Sequence, residues 1–380
     1  MSMPQPAAGV PAFTIAHARA DHWGLAAKAC LEGVAGVPAN MGILYATEAF
    51  NQNLSSILTF LRETTRIEHW VGAVAPGICA GDSEYLDGGA LAVMTGLLPE
   101  HSFRHFSGLD AAALGTRLGP WVATHGPCLG LVHGDPRSPG LPALVRATAE
   151  EAGFLVGGTV SASGPPAQVA GNVVSGGLSG LLLGADVPVL TALTQGCTPI
   201  GPVHIITEAS EGVLMELDGL QALEVLKQEV GELIARDMRR AAGYIHVGLP
   251  VAGSDTGDYV VRSLLGVDPR QGWLAVADRL EIGQSVQFVR RDPNTARTDM
   301  ARMLDSLDRR LAGRSVRGAF YTSCIARGRH MFGADGAELA MIRDTLGDVP
   351  LIGFFANGEI CGDRLYGYTG VLTLIAGEPS

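Results

Sequence analysis

Two thiols, one guanidinium and one carboxylate stand out in this sequence for the chemistry their settings allow. In FYTSCIARGRHMFG, Cys324 follows the apolar run Gly318 to Tyr321 and precedes Arg327, Arg329 and His330. Nearby cations favour the thiolate, so Cys324 has the setting of a reactive or ligand-contacting thiol. The competing reading is a small buried cysteine, among the most buried of residue types. Arg327 offers a planar fork suited to a carboxylate ligand. In LIGFFANGEICGD, Asn357, Gly358 and Glu359 come directly after an apolar strand. Asn357 and Gly358 suit a turn, whereas Glu359 suits either a ligand amine or an ion pair with Arg327 or Arg291. In QGCTPIG, Cys197 and Thr198 occupy a loop able to line a pocket, although Pro199 and Gly201 are equally suited to a turn. Tyr366 and Tyr368 either cap the same pocket or pack within a strand. The expected ligand-binding set is therefore Cys197, Thr198, Cys324, Arg327, Asn357, Gly358, Glu359 and Tyr366.

Catalysis has little support. Gly-x-Ser-x-Gly is absent, and Cys324 with His330 is the one Cys-His pairing worth weighing. The dispersed cysteines form no C-x-x-C pair, so neither a zinc site of ordinary spacing nor a disulfide framework is expected. C-x-x-C-H is absent too, and no histidine carries a local haem-ligand signature. Neither G-x-G-x-x-G in a strand-to-helix setting nor G-x-x-x-x-G-K-[ST] occurs, which disfavours nucleotide binding by those routes. No catalytic residue and no metal ligand is expected.

The elements that must position these residues repeat along the chain. NLSSILTFLRETT puts Leu54, Ile57, Leu58 and Leu61 on one helical face behind Asn53. HWVGAVAPGICAGD and GGALAVM follow it. Near the other end, GAELAMIRDTLG puts Leu339, Ile342 and Leu346 on one face and stops at Gly347. VPLIGFFANGEICGD and YGYTGVLTLIAG follow that helix. The order helix, strand, glycine loop, strand occurs in both places. Gly72, Gly77 and Asp82 match Gly353, Gly358 and Asp363 in spacing, and each loop carries an Ile-Cys pair, Ile78-Cys79 and Ile360-Cys361. A looser third copy, FLVGGTVSAS then VVSGGLSGLLLG, lacks the Asp and the Cys. Such self-similarity marks a repeated supersecondary unit. Its glycines allow close backbone approach and anion-binding nests. The loops are expected to converge on one pocket between two α+β halves, with largely antiparallel sheets packed together and covered by helices. The division is placed at 1–217 and 218–380. Asp218 and Gln221 read as a capping box for a helix with an apolar stripe of Leu223, Leu226, Val230 and Leu233. DYVVRSLLGVD, GWLAVADRL and SVQFVRRD read as three strands.

Composition sets the outer bounds. The chain has 380 residues, 47% of them apolar and 17% charged, with 51 glycines and a net charge of −11. That balance suits packed sheets with tight turns and opposes disorder. Apart from a run at Arg236, Arg239 and Arg240 and arginines between Arg290 and Arg329, the basic residues are scattered, so nucleic-acid binding is not expected. The longest apolar stretch, Val173 to Leu193, is broken by Ser175, Asp186 and Pro188 and reads as two buried strands, not a bilayer span. No signal peptide is apparent, and the expected location is cytoplasmic without membrane insertion.

The ordered stretches QGCTPIGP, ELDGLQALEVL, VVRSLLGVD, EIGQSVQFVRRD, SCIARGRHMFG and VPLIGFFANGEICGD with YGYTG resemble a FIST protein, as does the early segment from ILYATEAF to GGALAVM. The resemblance runs from about residue 15 to 377 and takes in an N-terminal and a C-terminal FIST domain. It implies a sensory protein that binds a small molecule such as an amino acid or similar metabolite and signals through a separate partner protein, for which a histidine kinase is one precedent. It also raises a haem-based nitric-oxide sensor as an alternative. An enzyme with a cysteine nucleophile is the third reading.

Overall fold

The computed structural model describes residues 13–231, 244–251 and 259–377. Leu233 and the run at Arg236, Arg239 and Arg240 lie outside them. The chain forms two compact units: residues up to Thr194 with Met300–Leu365 and Thr369 onward, and Gln195–Asp299 with Tyr366–Tyr368.

The larger unit contains three copies of one pattern. The first copy runs β1 (Phe13–Arg19), α1 (Trp23–Val34), β2 (Met41–Thr47), α2 (Leu54–Thr65), β3 (His69–Ala75), the hairpin β4 (Gly77–Ala80) with β5 (Ser83–Tyr85), and β6 (Ala90–Gly96). The second runs β7 (Phe103–Gly108), α3 (Ala111–His125), β8 (Cys128–Gly134), α4 (Leu141–Ala152), β9 (Gly153–Thr159), the hairpin β10 (Ala167–Ala170) with β11 (Asn172–Ser175), and β12 (Leu178–Leu183). The third opens with β13 (Val189–Gln195) and is interrupted by the smaller unit. That unit holds β14 (Cys197–Pro199), β15 (His204–Ser210), β16 (Val213–Leu217), β17 (Leu220–Gln221), α5 (Ala222–Val230), β18 (Ile245–Pro250), β19 (Tyr259–Asp268), β20 (Trp273–Val276) and β21 (Ser285–Arg291). The third copy resumes with α6 (Pro293–Leu311), β22 (Val316–Cys324), α7 (Gly328–Phe332), α8 (Ala337–Leu346), β23 (Leu351–Ala356), the hairpin β24 (Glu359–Cys361) with β25 (Arg364–Tyr366), and β26 (Thr369–Ala376).

The three sheets share one order. They run β1-β6-β2-β3-β10-β11, β7-β12-β8-β9-β24-β25 and β13-β26-β22-β23-β4-β5. Each sheet takes four strands from its own repeat and two from the hairpin of another. The first repeat lends its hairpin to the third, the third to the second, and the second to the first. Every sheet has one parallel pair, β2 with β3, β8 with β9 and β22 with β23. The central strands β6, β12 and β26 pair antiparallel with β2, β8 and β22, and the lent hairpins dock antiparallel too. This is the expected mixed α+β class, with helices over largely antiparallel sheets. The repeat count is three, and the copy that looked loosest in sequence has the complete topology.

Strand alternation divides each sheet's side chains between two cores. Ile43, Tyr45 and Val71 of the first sheet, Leu131, Val156 and Leu181 of the second, and Phe320, Ile352 and Phe354 of the third meet in one shared core. The opposite face of the first sheet packs beneath α1 and α2 through Leu44, Trp70, Val93, Cys30 and Leu61. That of the second packs beneath α3 and α4 through Val132, Leu155, Leu182, Leu118 and Val145. Leu54, Ile57, Leu58 and Leu61 of α2 are all buried, as their spacing predicts. Within the shared core the Tyr45 hydroxyl and His133 Nε2 lie 2.9 Å apart, and the Phe354 ring packs against both. Burial pushes the His133 pKa down to about 3, so the imidazole there is neutral.

One glycine per repeat makes the parallel pairing possible. Gly72, Gly157 and Gly353 are the register partners of Leu44, Val132 and Tyr321. A Cβ on each would lie 1.7, 2.0 and 1.9 Å from the partner's carbonyl oxygen.

Several sequence expectations change here. The hairpins bearing Asp82 and Asp363 dock on different sheets, so the glycine loops do not converge on one pocket. The cysteines of the two loops are not equivalent either. Cys79 lies opposite Gly353, but the residue opposite Gly157 is Ile360, one position before Cys361. Val173–Leu193 holds parts of three strands, β11, β12 and β13, because a hairpin arm was read together with the strand after it. No capping box forms: Gln221 is itself the N-cap of α5, and Asp218 holds the Ile205 N–H and His204 instead.

The smaller unit is one antiparallel sheet, β14-β21-β15-β16-β20-β19-β18, with β17 beside β16. Because β18 also pairs with β21, the sheet closes on itself. Leu223 and Leu226 of α5 enter its core beside Leu217, Val247 and Phe288. The three strands expected in this region are β19, β20 and β21.

Replacing Gly353 by alanine forces β23 off Tyr321. Urea unfolding should record a loss of at least about 3 kcal/mol, in the range reserved for backbone clashes and strain. A loss below about 1 kcal/mol would contradict the register described for β22 and β23.

Candidate functional site

The threefold pattern provides an internal control, because a residue the scaffold needs should recur at equivalent positions. Glu359, Ile78 and Gln168 are equivalent: each pairs with the residue after a close-approach glycine, namely Gly158, Phe354 and Ala73. One is an ordinary apolar residue. Another is an amide whose Oε1 accepts from the Ser179 hydroxyl at 2.5 Å. The scaffold therefore does not call for an acid here, yet the third repeat buries one completely.

Thr369, at the start of β26, donates to Glu359 Oε2 from its hydroxyl at 2.8 Å and from its backbone N–H at 3.2 Å. The Cys324 thiol also hydrogen-bonds the carboxyl. Glu359 Oε1 has no hydrogen-bond partner. Burial pushes the pKa of this carboxyl up to about 7, against the opposing pull of the Thr369 and Cys324 bonds and the Arg327 charge. Near neutral pH the group is poised between a carboxylic acid, which can donate, and a carboxylate, which can receive an ammonium or N–H.

Cys324 ends β22 opposite Ala356. Its counterpart in the first repeat, Thr47, makes a local structural bond to the Gly88 carbonyl at 2.7 Å. Asp135, just beyond β8 in the second, holds Arg137 at 2.8 Å. Only in the third repeat does this position face a buried acid.

Arg327 has its carboxylate within the protein. Its Nε and Nη2 each lie 2.8 Å from Glu338 Oε1, with both side chains buried. Glu338 also accepts from the Tyr321 hydroxyl at 2.8 Å and the Ser323 hydroxyl at 2.9 Å. The Arg327 guanidinium lies 5.1 Å from the Phe332 ring centroid. Removing one member of such a pair leaves an uncompensated buried charge and costs about 3–5 kcal/mol, which ties Arg327 to the scaffold around the strand ends. Asn357 is exposed in the β23–β24 turn, and the Gly358 carbonyl accepts from the Thr159 N–H at 2.8 Å. Cys324, Arg327, Asn357, Gly358 and Glu359 thus all belong to the adjoining ends of β22, β23 and β24 and the loops that follow them.

Cys197, Thr198 and Tyr366 belong to the smaller unit. The Cys197 side chain is buried against Val261 and Val289, and its carbonyl accepts from the Tyr259 hydroxyl at 2.7 Å. The Thr198 hydroxyl donates to Thr295 at 2.7 Å, and Tyr366 is buried. Tyr368 adopts φ +63° and packs on the His246 ring at 4.4 Å between centroids. Its hydroxyl lies 3.0 Å from the Ser263 hydroxyl, and the Arg291 guanidinium lies over its ring at 5.3 Å. His246 is buried with neither ring nitrogen hydrogen-bonded. Burial, reinforced by Arg291, pushes its pKa down to about 4.

Glu338, Thr369 and His246 had no local sequence signal. Glu338 and Thr369 matter through partners in neighbouring elements, Arg327 and Tyr321 for the one and Glu359 for the other, and His246 through the distant Tyr368. Among the described residues, no group of three or more His, Cys, Asp or Glu is arranged to hold a metal ion.

With this geometry in place, comparison with known families is decisive. The FIST N domain model matches residues 40–220 and the FIST C domain model matches 222–362. The chain belongs to the FIST family. FIST domains are associated with signal transduction and small-ligand sensing. An uncharacterized protein of Mycobacterium tuberculosis is 30% identical to this FIST chain over 378 residues, covering 92% of this chain and 94% of its own. An uncharacterized protein of Mycobacterium bovis is 30% identical over 374 residues, covering 93% and 95%. The junction between the FIST N and FIST C segments falls in the smaller unit, between β17 and α5. The third repeat likewise draws β13 from the FIST N segment and the rest from FIST C.

Glu359 gives stability a definite pH dependence. Its folded pKa, about 7, is raised above the ordinary glutamate value of 4.5. The folded state therefore keeps the proton that the unfolded state releases. The contribution is fully present below about pH 4.5 and is lost as pH rises through about 7, amounting to about 3 kcal/mol. Glu359→Gln should remove this component, so the variant gains on the wild type between pH 5 and pH 8 in parallel denaturation series. A stability difference that stays constant with pH would contradict the buried titrating carboxyl.

Proposed function

We propose that this FIST protein is a sensor for a small metabolite bearing an amine or other N–H donor, amino acids among them, and that Glu359 receives that donor. The observation that carries the reading is the fully buried carboxyl with one oxygen unpartnered, at a position where the other repeats hold the apolar Ile78 and the uncharged Gln168. A charged hydrogen bond in a low-dielectric site is worth more than a neutral one. Binding an ammonium there also relieves the desolvation that holds the Glu359 pKa up. Ligand binding near pH 6.5 then releases a proton, which makes affinity rise with pH through that range. Cys324 serves recognition in this reading, since its thiol proton is already engaged with the carboxyl. The bound state is passed on by contact with a separate signalling protein, for which a histidine kinase is the precedent in the family. No nucleic-acid partner is proposed. No helix among the described residues is long and apolar enough to cross a membrane.

Thermal-shift screening of wild type and Glu359→Gln against amino acids and small amines tests this reading. A hit should stabilise the wild type in proportion to RT ln(1 + [L]/Kd) and bind the variant at least about tenfold more weakly. Equal stabilisation of both proteins by every hit would overturn the assignment of Glu359.

One observation favours a second reading. His246 is buried, neutral and without a partner at either ring nitrogen, the form in which imidazole binds iron. Its residues fit haem to that extent: His246 would hold the iron, and the haem would supply a gas-binding site. Addition of haemin to the purified protein should then give a Soret band that His246→Ala loses. A spectrum unchanged by that substitution removes His246 as ligand.

A further inference from the structure

The larger unit carries a polar concavity apart from the Glu359 carboxyl. A surface cleft of about 410 Å3 is bounded by the edge strand β7, the β10–β11 turn, α3 and the start of β3. Arg104 and His105 of β7, Arg117 of α3 and His69 of β3 line it, with Asn172 at the turn, and no carboxylate does. The Arg104 side chain is exposed and makes no ion pair or hydrogen bond among the described residues. The Arg117 Nη1 donates to the Ser107 carbonyl at 2.7 Å, which holds its fork at the mouth of the cleft. Arg62 is fixed nearby by the carbonyl of Gly171. His69 and His105 lie 5.6 Å apart, ring to ring.

This concentration of cations runs against the composition of the chain, whose 38 acidic residues outnumber 27 lysines and arginines. The fold does not demand it. A comparable cleft, between β1, the β4–β5 turn, α8 and the start of β23, is lined by Asp82 and Asp348 together with Arg343. There the arginine is neutralised by Asp82 at 3.4 Å. In the β7 cleft the cations face one another instead. The His105 pKa is lowered by burial and then by His69, Arg104, Arg62 and Arg117. Glu68, next to His69 in the chain, is exposed and lies 3.6 Å from Arg62.

A positive concavity without counter-charge is a standing anion site. Guanidinium forks pair bidentately with phosphate or carboxylate oxygens, and a multivalent phosphate presents enough oxygens to meet two arginines at once. The volume is that of a small-molecule pocket. We propose that this cleft binds a small multivalent anion of the phosphate class, such as a phosphorylated metabolite, held by Arg104 and Arg117 with His69 and His105 as further donors.

Calorimetric titration of the full chain with pyrophosphate, at low ionic strength to limit screening, tests the site. The wild type should bind with Kd below about 1 mM, and inorganic phosphate should bind more weakly. Arg104→Glu should weaken pyrophosphate at least about tenfold, while Arg309→Glu, an exposed arginine of α6, should leave it unchanged. Pyrophosphate should also raise the apparent pKa of the His105 imidazole in the wild type, followed by NMR, which guards against a variant that fails to fold. Absence of binding by the wild type, equal binding by both variants, or an unmoved His105 titration would each overturn the proposal. Binding at the Glu359 site has no bearing on these outcomes, since Arg104→Glu leaves that carboxyl intact.

Discussion

The lending of hairpins between sheets is the constraint on which the larger unit depends. Without β10, strand β3 would present its backbone N–H and C=O groups as an open edge, and the same is true of β9 without β24 and β23 without β4. An unpaired edge of this kind is both a cost and an invitation to aggregate. Each repeat closes that edge with a hairpin from another, so no repeat is complete alone. The shared core has the same property, since Tyr45, His133 and Phe354 come from three different repeats. Cooperativity of the unit follows from backbone pairing as much as from buried apolar area.

Near-symmetry of this kind separates scaffold from function. Gly72, Gly157 and Gly353 recur because carbonyl oxygens lie where a Cβ would go. Ile78, Gln168 and Glu359 do not recur, although their backbones do the same work. A departure that puts a fully buried acid in place of an aliphatic residue opposes stability at neutral pH, so it points to a role other than folding. The same comparison separates the Arg104 cleft from the one containing Asp82. Arg327 is different, because its fork is matched to Glu338 within the protein and holds the strand ends together.

Much of the fold could be read in the residues. The stripe on α2 and the Gly347 stop of α8 rest on local physics, and so do strands β19 to β21. The five-residue spacing of Gly72, Gly77 and Asp82 also marked a true repeat. What could not be read was long-range. Nothing near Ala80 indicates that its partner is Ile352, so the loops were expected to meet in one place. The Ile-Cys pairs looked equivalent although they stand one residue apart in the aligned glycine spacing, and the register against Gly157 and Gly353 shows that the offset changes what each cysteine faces. For the site, Cys324, Arg327 and Glu359 were legible as strand-end polar residues. Glu338 and Thr369 were not, because a helical glutamate and a strand threonine are unremarkable until their partners are known.

The pairing of Ala80 with Ile352 spans 272 residues of chain. On the ribosome, β4 and β5 are made early and must wait for β23, one of the last strands to emerge. During that interval a buried apolar hairpin and an unfilled sheet edge are both exposed, and non-local pairing of this kind is intrinsically slow. The hairpin therefore stays unpaired through most of synthesis, an interval in which aggregation competes with folding. A chain truncated before β23 would leave the first repeat's hairpin without its docking strand, so its N-terminal portion is a poor candidate for an independently stable fragment.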